Sequence, residues 1–320
     1  MRKIAAIFIL IAVMAVSLLL GGCSTQQKQN SAQKTGQGQS ITIGVMPDVD
    51  SIPFIIAQER GYFKEEGVTV TLKYFKSAVD RDSALQSGNL DGAVSDMLAE
   101  TFAKNGGFNT RITSLTTGSY KLVVNKEETA SAIQELKGKD VAISKNTIIE
   151  YVTDKIAAKG GLAPADINKI IIPQIPARLE MLQNGKISAA TLPEPMASIA
   201  VKNGGRVLES SDQLGINPGV MIFTAKSVKD KEKEIQAVYR AYGKAVDYLS
   251  REPMTSYIDL IIEKGGFPKD MKEALVLPQY KKVAAPQPND IEAVIAWLKE
   301  RQLIQQGYSY TELVDDRFVR

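Results

Sequence analysis

The chain has no histidine and only one cysteine, Cys23, among its 320 residues. Without histidine, acid–base chemistry by an imidazole is excluded. A single cysteine cannot form a disulfide within the chain. The excess of positive over negative charge is also small. The net charge is +3, and the first 22 residues supply two of these charges through Arg2 and Lys3. No basic block with interleaved aromatic residues occurs, so we expect no nucleic-acid partner.

The rest of the composition is that of a globular protein with a sizeable core. Hydrophobic residues make up 44% of the chain and charged residues 23%, which excludes global disorder. A chain of 320 residues has room for one large domain or two ordinary ones.

The N-terminus has the pattern of an export signal. Arg2 and Lys3 precede an apolar run over residues 4–20, and the sequence LGGC follows at residues 20–23. The run is slightly shorter than the roughly 20 residues that span a bilayer, although a single anchoring helix is the alternative. The stretch resembles a bacterial lipobox, in which cleavage before Cys23 leaves its thiol and amine to carry acyl chains. Two or three such chains hold a protein on a membrane. We therefore predict a signal peptide over residues 1–22 and a lipid anchor at Cys23.

Residues 23–40 contain no large apolar side chain and are rich in Gln, Ser, Lys and Gly. This composition is typical of a flexible tether. The folded part of the chain is therefore expected to begin near residue 41.

From residue 41 onward, strand patterns alternate with helix patterns. Residues 41–46 and 68–75 are rich in β-branched residues and read as strands, whereas residues 52–63 have helical spacing. Strands separated by helices of this length predict a parallel sheet that is covered on both faces.

A short sequence motif occurs twice. LQSGNLDGA at residues 85–93 returns as LQNGKISAA at residues 182–190, and KNGG follows both copies, at residues 104–107 and 202–205. Each copy predicts the end of a helix, a glycine cap, a strand and a further helix. Chance reuse of cap residues is the alternative. The repeat predicts two similar α/β lobes, and a cleft between lobes is a usual place for a small ligand.

Four stretches that contain these patterns occur in an order that is typical of a known protein family. They are residues 53–75, 83–96, 136–145 and 181–195, and the last reads MLQNGKISAATLPEP. The chain resembles the extracytoplasmic binding proteins of the nitrate, sulfonate, taurine and thiamine-pyrimidine type, which serve ATP-binding-cassette importers. The resemblance runs from residue 41 to the C-terminus.

This resemblance implies two doubly wound α/β lobes joined by crossover strands, the type II periplasmic-binding-protein fold. We assign residues 41–120 to lobe 1, residues 121–225 to lobe 2 and the C-terminal helices of residues 226–320 to the completion of lobe 1. Residues 120–126 and 219–226 are the candidate crossovers. The implied partners are a small molecule of the sulfonate, nitrate or thiamine-pyrimidine kind, a permease, and the membrane through the lipid. A monomer without cofactor is expected, held on the extracytoplasmic side of the cell membrane.

The ligand is expected beyond the carboxyl ends of the parallel strands, at helix N-termini. This rule selects four loops, at residues 47–53, 76–80, 95–97 and 144–150. Ser77 and Thr147 also fit a purely structural role as helix caps. The candidate ligand-binding residues are Asp48, Ser51, Lys76, Ser77, Ser95, Asp96, Thr117, Lys145, Asn146, Thr147 and Glu194.

Glu194 is chosen because Pro193 and Pro195 restrict its backbone directly after a strand. The resemblance places an acidic residue of this loop near the cleft, although an exposed turn is the alternative for the bare sequence. Asp48, Asp50 and Asp96 would give the cleft an acidic side, and Lys76 and Lys145 a basic side. A ligand with an amine or ring nitrogen at one end and an anionic or polar group at the other fits these residues. A purely anionic ligand fits them as well.

Two other functions fit less well. A surface lipoprotein without a transport role remains open. An enzyme on the same fold has a precedent in the fungal thiamine-pyrimidine synthases, which resemble this chain but consume a histidine and need iron. The DVDS stretch at residues 48–51 lacks the glycine and distal glutamate of a calcium loop, and we expect no metal site.

Overall fold

The computed structural model of the protein describes residues 39–269 and 271–319. The predicted signal peptide, Cys23 and nearly all of the predicted tether lie outside the described residues. Of the helices in the described ranges, none combines the length and the apolar character that crossing a membrane requires.

The described chain forms two five-stranded sheets, with the orders β2–β1–β3–β10–β4 and β7–β6–β8–β5–β9. We call the part built on the first sheet lobe 1 and the part built on the second sheet lobe 2. The strands are β1 (Ser40–Val45), β2 (Thr69–Tyr74), β3 (Gly92–Asp96), β4 (Thr110–Leu115), β5 (Tyr120–Val124), β6 (Asp140–Ile143), β7 (Asn168–Ile171), β8 (Ala189–Pro193), β9 (Arg206–Ser210) and β10 (Gly219–Thr224).

Helices connect and cover these strands. They are α1 (Ile52–Glu59), α2 (Tyr62–Glu65), α3 (Ala78–Gln86), α4 (Met97–Asn105), α5 (Ile148–Lys159), α6 (Ile175–Gln183), α7 (Met196–Lys202), α8 (Ala225–Asp230), α9 (Glu232–Arg251), α10 (Ile258–Gly265), α11 (Met271–Ala274), α12 (Pro288–Glu300) and α13 (Tyr310–Leu313). The expected fold class, two doubly wound α/β lobes, is confirmed by this arrangement.

The sequence repeat corresponds to equivalent parts of the two lobes. In the first copy α3 ends before Gly88, and β3 and α4 follow; in the second α6 ends before Gly185, and β8 and α7 follow. Both glycines have positive φ, +76° and +64°, a conformation that glycine adopts without strain. Because β3 and β8 are the middle strands of their sheets, the repeat marks the centre of each lobe.

The chain crosses between the lobes in two short segments, residues 116–119 and 211–218. The strand that follows each crossing, β5 or β10, runs antiparallel to both of its neighbours. The expected crossover strands at 120–126 and 219–226 are therefore members of the sheets. The expected end of lobe 2 at residue 225 is corrected as well, since β10 pairs with β3 and β4 of lobe 1.

The middle of each sheet is buried on both faces. Along β10, Val220 and Ile222 belong to one apolar cluster, and Met221 and Phe223 belong to the other. This alternation follows from the two-residue period of a strand. The loops at the carboxyl ends of the sheets therefore follow strands that are packed on both faces.

The C-terminal helices complete lobe 1, and two of them, α11 and α12, also reach lobe 2, α11 by packing on α7. The long helix α9 packs on α1 and α2. Helix α12 packs on α4 of lobe 1, while its Trp297 Nε1 donates a 3.0 Å hydrogen bond to Asp154 Oδ2 on α5 of lobe 2. Arg301, directly after α12, pairs with Asp154 and with Glu150 of the same lobe-2 helix.

Candidate ligand-binding cleft

A pocket lies between the two lobes at the carboxyl ends of their parallel strands. The space between its walls is about 450 Å³, part of which is open to solvent. Its walls are Met46, Asp48, Asp50, Ala78, Arg81, Val94, Ser95, Asp96 and Tyr120, together with Ser144, Thr147, Ile148, Ile149, Pro173, Ile175, Arg178 and Pro193.

Two backbone hydrogen bonds join the lobes beside this pocket. The amide of Ile175, at the start of α6, donates to the carbonyl of Lys76 just before α3 at 3.0 Å. The amide of Val49 donates to the carbonyl of Glu194 at 3.0 Å. The loops that line the pocket are therefore in direct contact across the cleft.

Arg178 is the most unusual side chain of the cleft. It is fully buried, at 0% exposure, on the first turn of α6 in lobe 2. Its Nη1 donates to the carbonyl of Ile172 at 2.8 Å, whereas its Nε and Nη2 have no hydrogen-bond partner among the described residues. Burial lowers the pKa of Arg178 to about 9, because no carboxylate compensates the desolvated charge. A buried cation without a partner is costly unless an anion meets it.

Arg81 holds the equivalent position in lobe 1. It lies 97 residues before Arg178, at the offset that relates the two LQxG copies, and both arginines are the fourth residue of their helices. Arg81 is paired: its Nη2 lies 2.8 Å from Asp82 and 3.6 Å from Asp96.

The same offset explains why the lobe-2 arginine lacks such partners. The position equivalent to Asp82 is Leu179, and the position equivalent to Asp96 is Pro193. The two arginines are therefore alike in placement and unlike in electrostatics. Lobe 1 neutralises its arginine internally, whereas the described residues of lobe 2 supply no carboxylate to theirs.

Two buried carboxyl groups face the cleft from the loop after β1. Asp48 Oδ1 accepts hydrogen bonds from the amide and the hydroxyl of Ser51, at 3.1 and 2.8 Å, and Asp50 Oδ1 has no hydrogen-bond partner among the described residues. Desolvation by burial raises the pKa of Asp48 to about 8, with a further contribution from Asp50, and raises the pKa of Asp50 to about 6. The positive charge of Arg81, which also pairs with Asp82 and Asp96, offsets part of this rise in the pKa of both carboxyl groups.

Two hydroxyl groups complete the polar lining, one from each lobe. Ser95 Oγ, at the end of β3, and Ser144 Oγ, after β6, are both buried and without a hydrogen-bond partner in the described ranges. Buried hydroxyls in proteins are nearly always hydrogen-bonded. Together with Arg178 and Asp50, they form a set of unsatisfied groups that converge on one pocket.

The structure brings some of the predicted site residues to this pocket. Asp48, Ser95, Asp96 and Thr147 line it, and each of the four predicted loops contributes to its walls. Asp96 is at the same time the cap of α4, since its Oδ1 accepts from the amide of Ala99 at 2.9 Å.

The other predicted residues lie outside the lining. Ser51 and Ser77 are buried and bonded to Asp48 and Asp80, so they hold the loops in shape. Thr117 is half-buried in the first crossover, and Lys76, Lys145 and Asn146 are exposed. Lys76 and Lys145, the expected basic side, do not line this pocket, whereas Arg81 and Arg178 do.

Glu194 has partners of its own within the protein. Its carboxylate accepts hydrogen bonds from the amide and the hydroxyl of Ser198, at 3.0 and 2.9 Å, and it pairs with Lys121. The side chain is buried but is not part of the pocket wall. Only its carbonyl, which accepts from Val49, takes part in the contact between the lobes.

Sequence reasoning missed Arg178, although a signal was present. Extending the repeat back by one helical turn would have aligned Arg81 with Arg178 and shown that the second copy lacks the aspartates. In the described ranges, no group of three or more His, Cys, Asp or Glu side chains is placed to hold a metal ion.

Comparison with known proteins agrees with this architecture. A model of the protein family described as NMT1/THI5 like matches residues 48–256. A Brachyspira hyodysenteriae protein whose name describes an ABC transporter periplasmic binding protein is 22% identical over 279 residues, 82% of this chain and 79% of that protein. The Saccharomyces cerevisiae protein named 4-amino-5-hydroxymethyl-2-methylpyrimidine phosphate synthase THI13 is 23% identical over 252 residues, covering 73% of this chain and 72% of the yeast protein.

A solved structure shares the fold. The alkanesulfonate-binding protein SsuA of Xanthomonas axonopodis pv. citri, bound to MOPS, superimposes with a TM-score of 0.75 at 18% sequence identity. The alignment covers 87% of this chain and 98% of that protein.

Proposed function

Because the chain belongs to the NMT1/THI5-like family, we propose that it is the substrate-binding component of an ATP-binding-cassette importer. It captures a small anionic molecule between its lobes and delivers it to the permease. The proposed ligand is a sulfonate or another small anion. The chain is similar to an alkanesulfonate-binding protein and to a protein named as an ABC transporter periplasmic binding protein.

The observation that carries this proposal is the buried, unpartnered guanidinium of Arg178. Two of its nitrogens are free to donate into the cleft, and the planar fork of an arginine suits carboxylate, sulfonate or phosphate oxygens. The free hydroxyls of Ser95 and Ser144 add donors from both lobes. An anion held by both walls stabilises their contact, which is how a ligand favours closure.

The yeast relatives are named synthases, but our proposal does not extend that activity to this chain. The chain has no histidine, and no cysteine belongs to the pocket wall. The polar groups of the pocket offer hydrogen bonds and charges rather than a nucleophile paired with a base.

We expect alkanesulfonates or nitrate to raise the melting temperature of the full-length chain. A ligand at about a hundred times its dissociation constant adds about 2.7 kcal/mol to the free energy of unfolding. Ethanesulfonate, propanesulfonate and nitrate are the probes, and ethanesulfonamide is the neutral control. If no anion stabilises the protein, or if the sulfonamide does so equally, the anion site is wrong.

The transport role is tested separately by uptake of the binding anion in cells with and without the gene, and unchanged uptake would count against it.

We further propose that the protein acts outside the cytoplasmic membrane, held there by lipid on Cys23 after removal of residues 1–22. The support is the sequence LGGC and the polar stretch that follows it. Such a tether keeps the cleft near a permease while leaving the lobes free to open and close.

Replacing Cys23 with serine is expected to release the protein from membranes or to leave an uncleaved precursor. Serine has no thiol for the acyl chains, and one remaining chain would bind only weakly. Membrane fractionation with mass spectrometry of the N-terminus provides the measurement, and Ser24→Ala is the matched control. A correctly processed Cys23→Ser protein that stays on the membrane contradicts the anchor.

A further inference from the structure

The lobe-2 wall of the cleft begins with a turn between β6 and α5, over residues 144–147. Ser144 and Thr147, at the two ends of this turn, line the pocket, and the Ser144 hydroxyl is one of its unsatisfied groups. Asn146 has a φ of +57°, a left-handed conformation that residues other than glycine adopt only rarely. Such a conformation persists where the surrounding structure holds it.

Glu150, in the first turn of α5, supplies this support. Its Oε2 accepts a 2.7 Å hydrogen bond from the amide of Asn146. In an ordinary capping box the same carboxylate would accept from the amide of the cap, Thr147. The hydroxyl of Thr147 donates to the carbonyl of Ser144 at 2.8 Å. The two bonds together tie the turn to the start of α5.

The carboxylate of Glu150 is itself held by cations from both lobes. Its Oε1 lies 2.8 Å from Lys169 Nζ on β7 and 3.1 Å from Nη1 of Arg301, directly after α12. Burial by itself would raise the pKa of Glu150, but the hydrogen bond from Asn146 and the pairing with Lys169 and Arg301 hold that pKa below its ordinary value. The group is therefore ionised at neutral pH. Moving it away from the turn would break a buried ion pair, which is costly.

We infer, building on the proposed function, that Glu150 is a positioning residue for the anion site. Glu150 does not line the pocket, and it acts through the turn that precedes α5. By accepting from the amide of Asn146, it keeps Ser144 and Thr147 in the places where they meet the ligand.

Charge and geometry predict opposite effects when Glu150 is removed. A carboxylate near an anion repels it, so the loss of charge alone would make Glu150→Ala bind a sulfonate more tightly. Loss of the turn would instead withdraw the polar groups of Ser144 and Thr147 from the cleft, and binding would weaken. The direction of the change therefore separates a positioning role from a purely electrostatic one.

The experiment is calorimetric titration of the full-length chain with propanesulfonate, together with thermal unfolding. We expect Glu150→Ala to weaken binding at least tenfold. Adding Asn146→Gly to this variant should restore the affinity to within threefold of wild type, because glycine adopts positive φ without strain. The melting temperature should stay low, since glycine replaces none of the ion pairs. Glu150→Asp, whose carboxylate is one methylene shorter, takes the place of Glu150→Ala if that variant does not fold.

Glu209→Ala is the matched control. Glu209 is also a buried glutamate of lobe 2, accepts from the backbone amide of Ser210 at 3.1 Å and pairs with Lys159. It belongs neither to the turn nor to the pocket wall. This variant should lose stability but keep its affinity for propanesulfonate.

Hydrogen exchange of residues 144–149 provides a readout without ligand. Exchange in this segment should be faster in Glu150→Ala than in wild type and unchanged in Glu209→Ala.

The inference is overturned if Glu150→Ala binds propanesulfonate as tightly as wild type, or if Glu209→Ala loses as much affinity. It is also overturned if Asn146→Gly restores no binding, or if exchange of the segment is the same with and without Glu150. If propanesulfonate does not bind to the wild-type protein, the anion site of the proposed function fails. Hydrogen exchange then still decides whether Glu150 holds the turn.

Discussion

Arg178→Met is expected to stabilise the protein and, at the same time, to abolish tight anion binding. The guanidinium is buried without a counter-charge, and replacing buried charge with a well-packed apolar side chain is often stabilising by about 1–4 kcal/mol. The lost bond to the Ile172 carbonyl offsets part of this gain. Removing the partner of a buried anion costs about 2–5 kcal/mol of binding free energy, which is about thirtyfold or more in affinity.

The measurements are thermal and urea unfolding without ligand, and calorimetry with the alkanesulfonate that binds best. Arg81→Met is the matched control, because Arg81 holds the equivalent position but is paired with Asp82 and Asp96. This control should destabilise the fold, since it leaves the buried carboxylate of Asp96 and the partly exposed carboxylate of Asp82 without their cation. If both variants lose stability to the same extent and Arg178→Met keeps its affinity, Arg178 is a structural residue and the site lies elsewhere.

Asp154→Ala is expected to lower the free energy of unfolding by about 3–5 kcal/mol, the usual cost of breaking a buried ion pair from one side. Asp154 is 4% exposed, accepts hydrogen bonds from Trp297 and Arg301 and forms an ion pair with Lys169. The first two donors belong to the C-terminal part that packs on lobe 1, whereas Asp154 and Lys169 belong to lobe 2. The substitution therefore loosens the contact between the lobes, and ligand affinity should fall with stability.

Denaturant unfolding and small-angle scattering check this expectation, with Asp259→Ala as the control. Asp259 pairs with Lys272 at 2.8 Å, but its side chain is 73% exposed, and exposed ion pairs contribute little. Equal losses of unfolding free energy in both variants would show that the ion pairs of Asp154 on α5 contribute no more to stability than an exposed ion pair. A large loss of stability with an unchanged scattering profile would confine the cluster to a packing role within the fold.

Most of the fold was predictable because it rests on local chemistry. Glycines that require positive φ, such as Gly88 and Gly185, and apolar runs of strand length mark the elements without reference to the rest of the chain. The repeat then indicated two lobes, and the middle strands β3 and β8 coincide with its two copies. The assignment of β10 was less accessible, because strand pairing joins residues that lie far apart in sequence.

The candidate site was predictable in its loops but not in its charges. The rule that ligands lie beyond the carboxyl ends of strands selected the loops that carry Asp48, Ser95 and Thr147. The same rule favoured Lys76, and the two flanking prolines together with the resemblance favoured Glu194, but neither side chain lines the pocket. Glu194 meets Ser198 and Lys121, and Lys76 points to solvent while its carbonyl joins the lobes.

The sequence by itself determined the two α/β lobes, the cleft between them and the loops that line it, because turns, caps and apolar periodicity are properties of short segments. Only the tertiary structure decided which charges remain unsatisfied. Arg81 and Arg178 are the same residue type in equivalent helices, and a charge is free or neutralised according to the groups that lie within a few ångströms of it. Asp82 and Asp96 are such neighbours for Arg81, whereas Arg178 has Leu179 and Pro193 in their equivalent positions. That difference turns one buried arginine into part of the scaffold and the other into the candidate site for an anion.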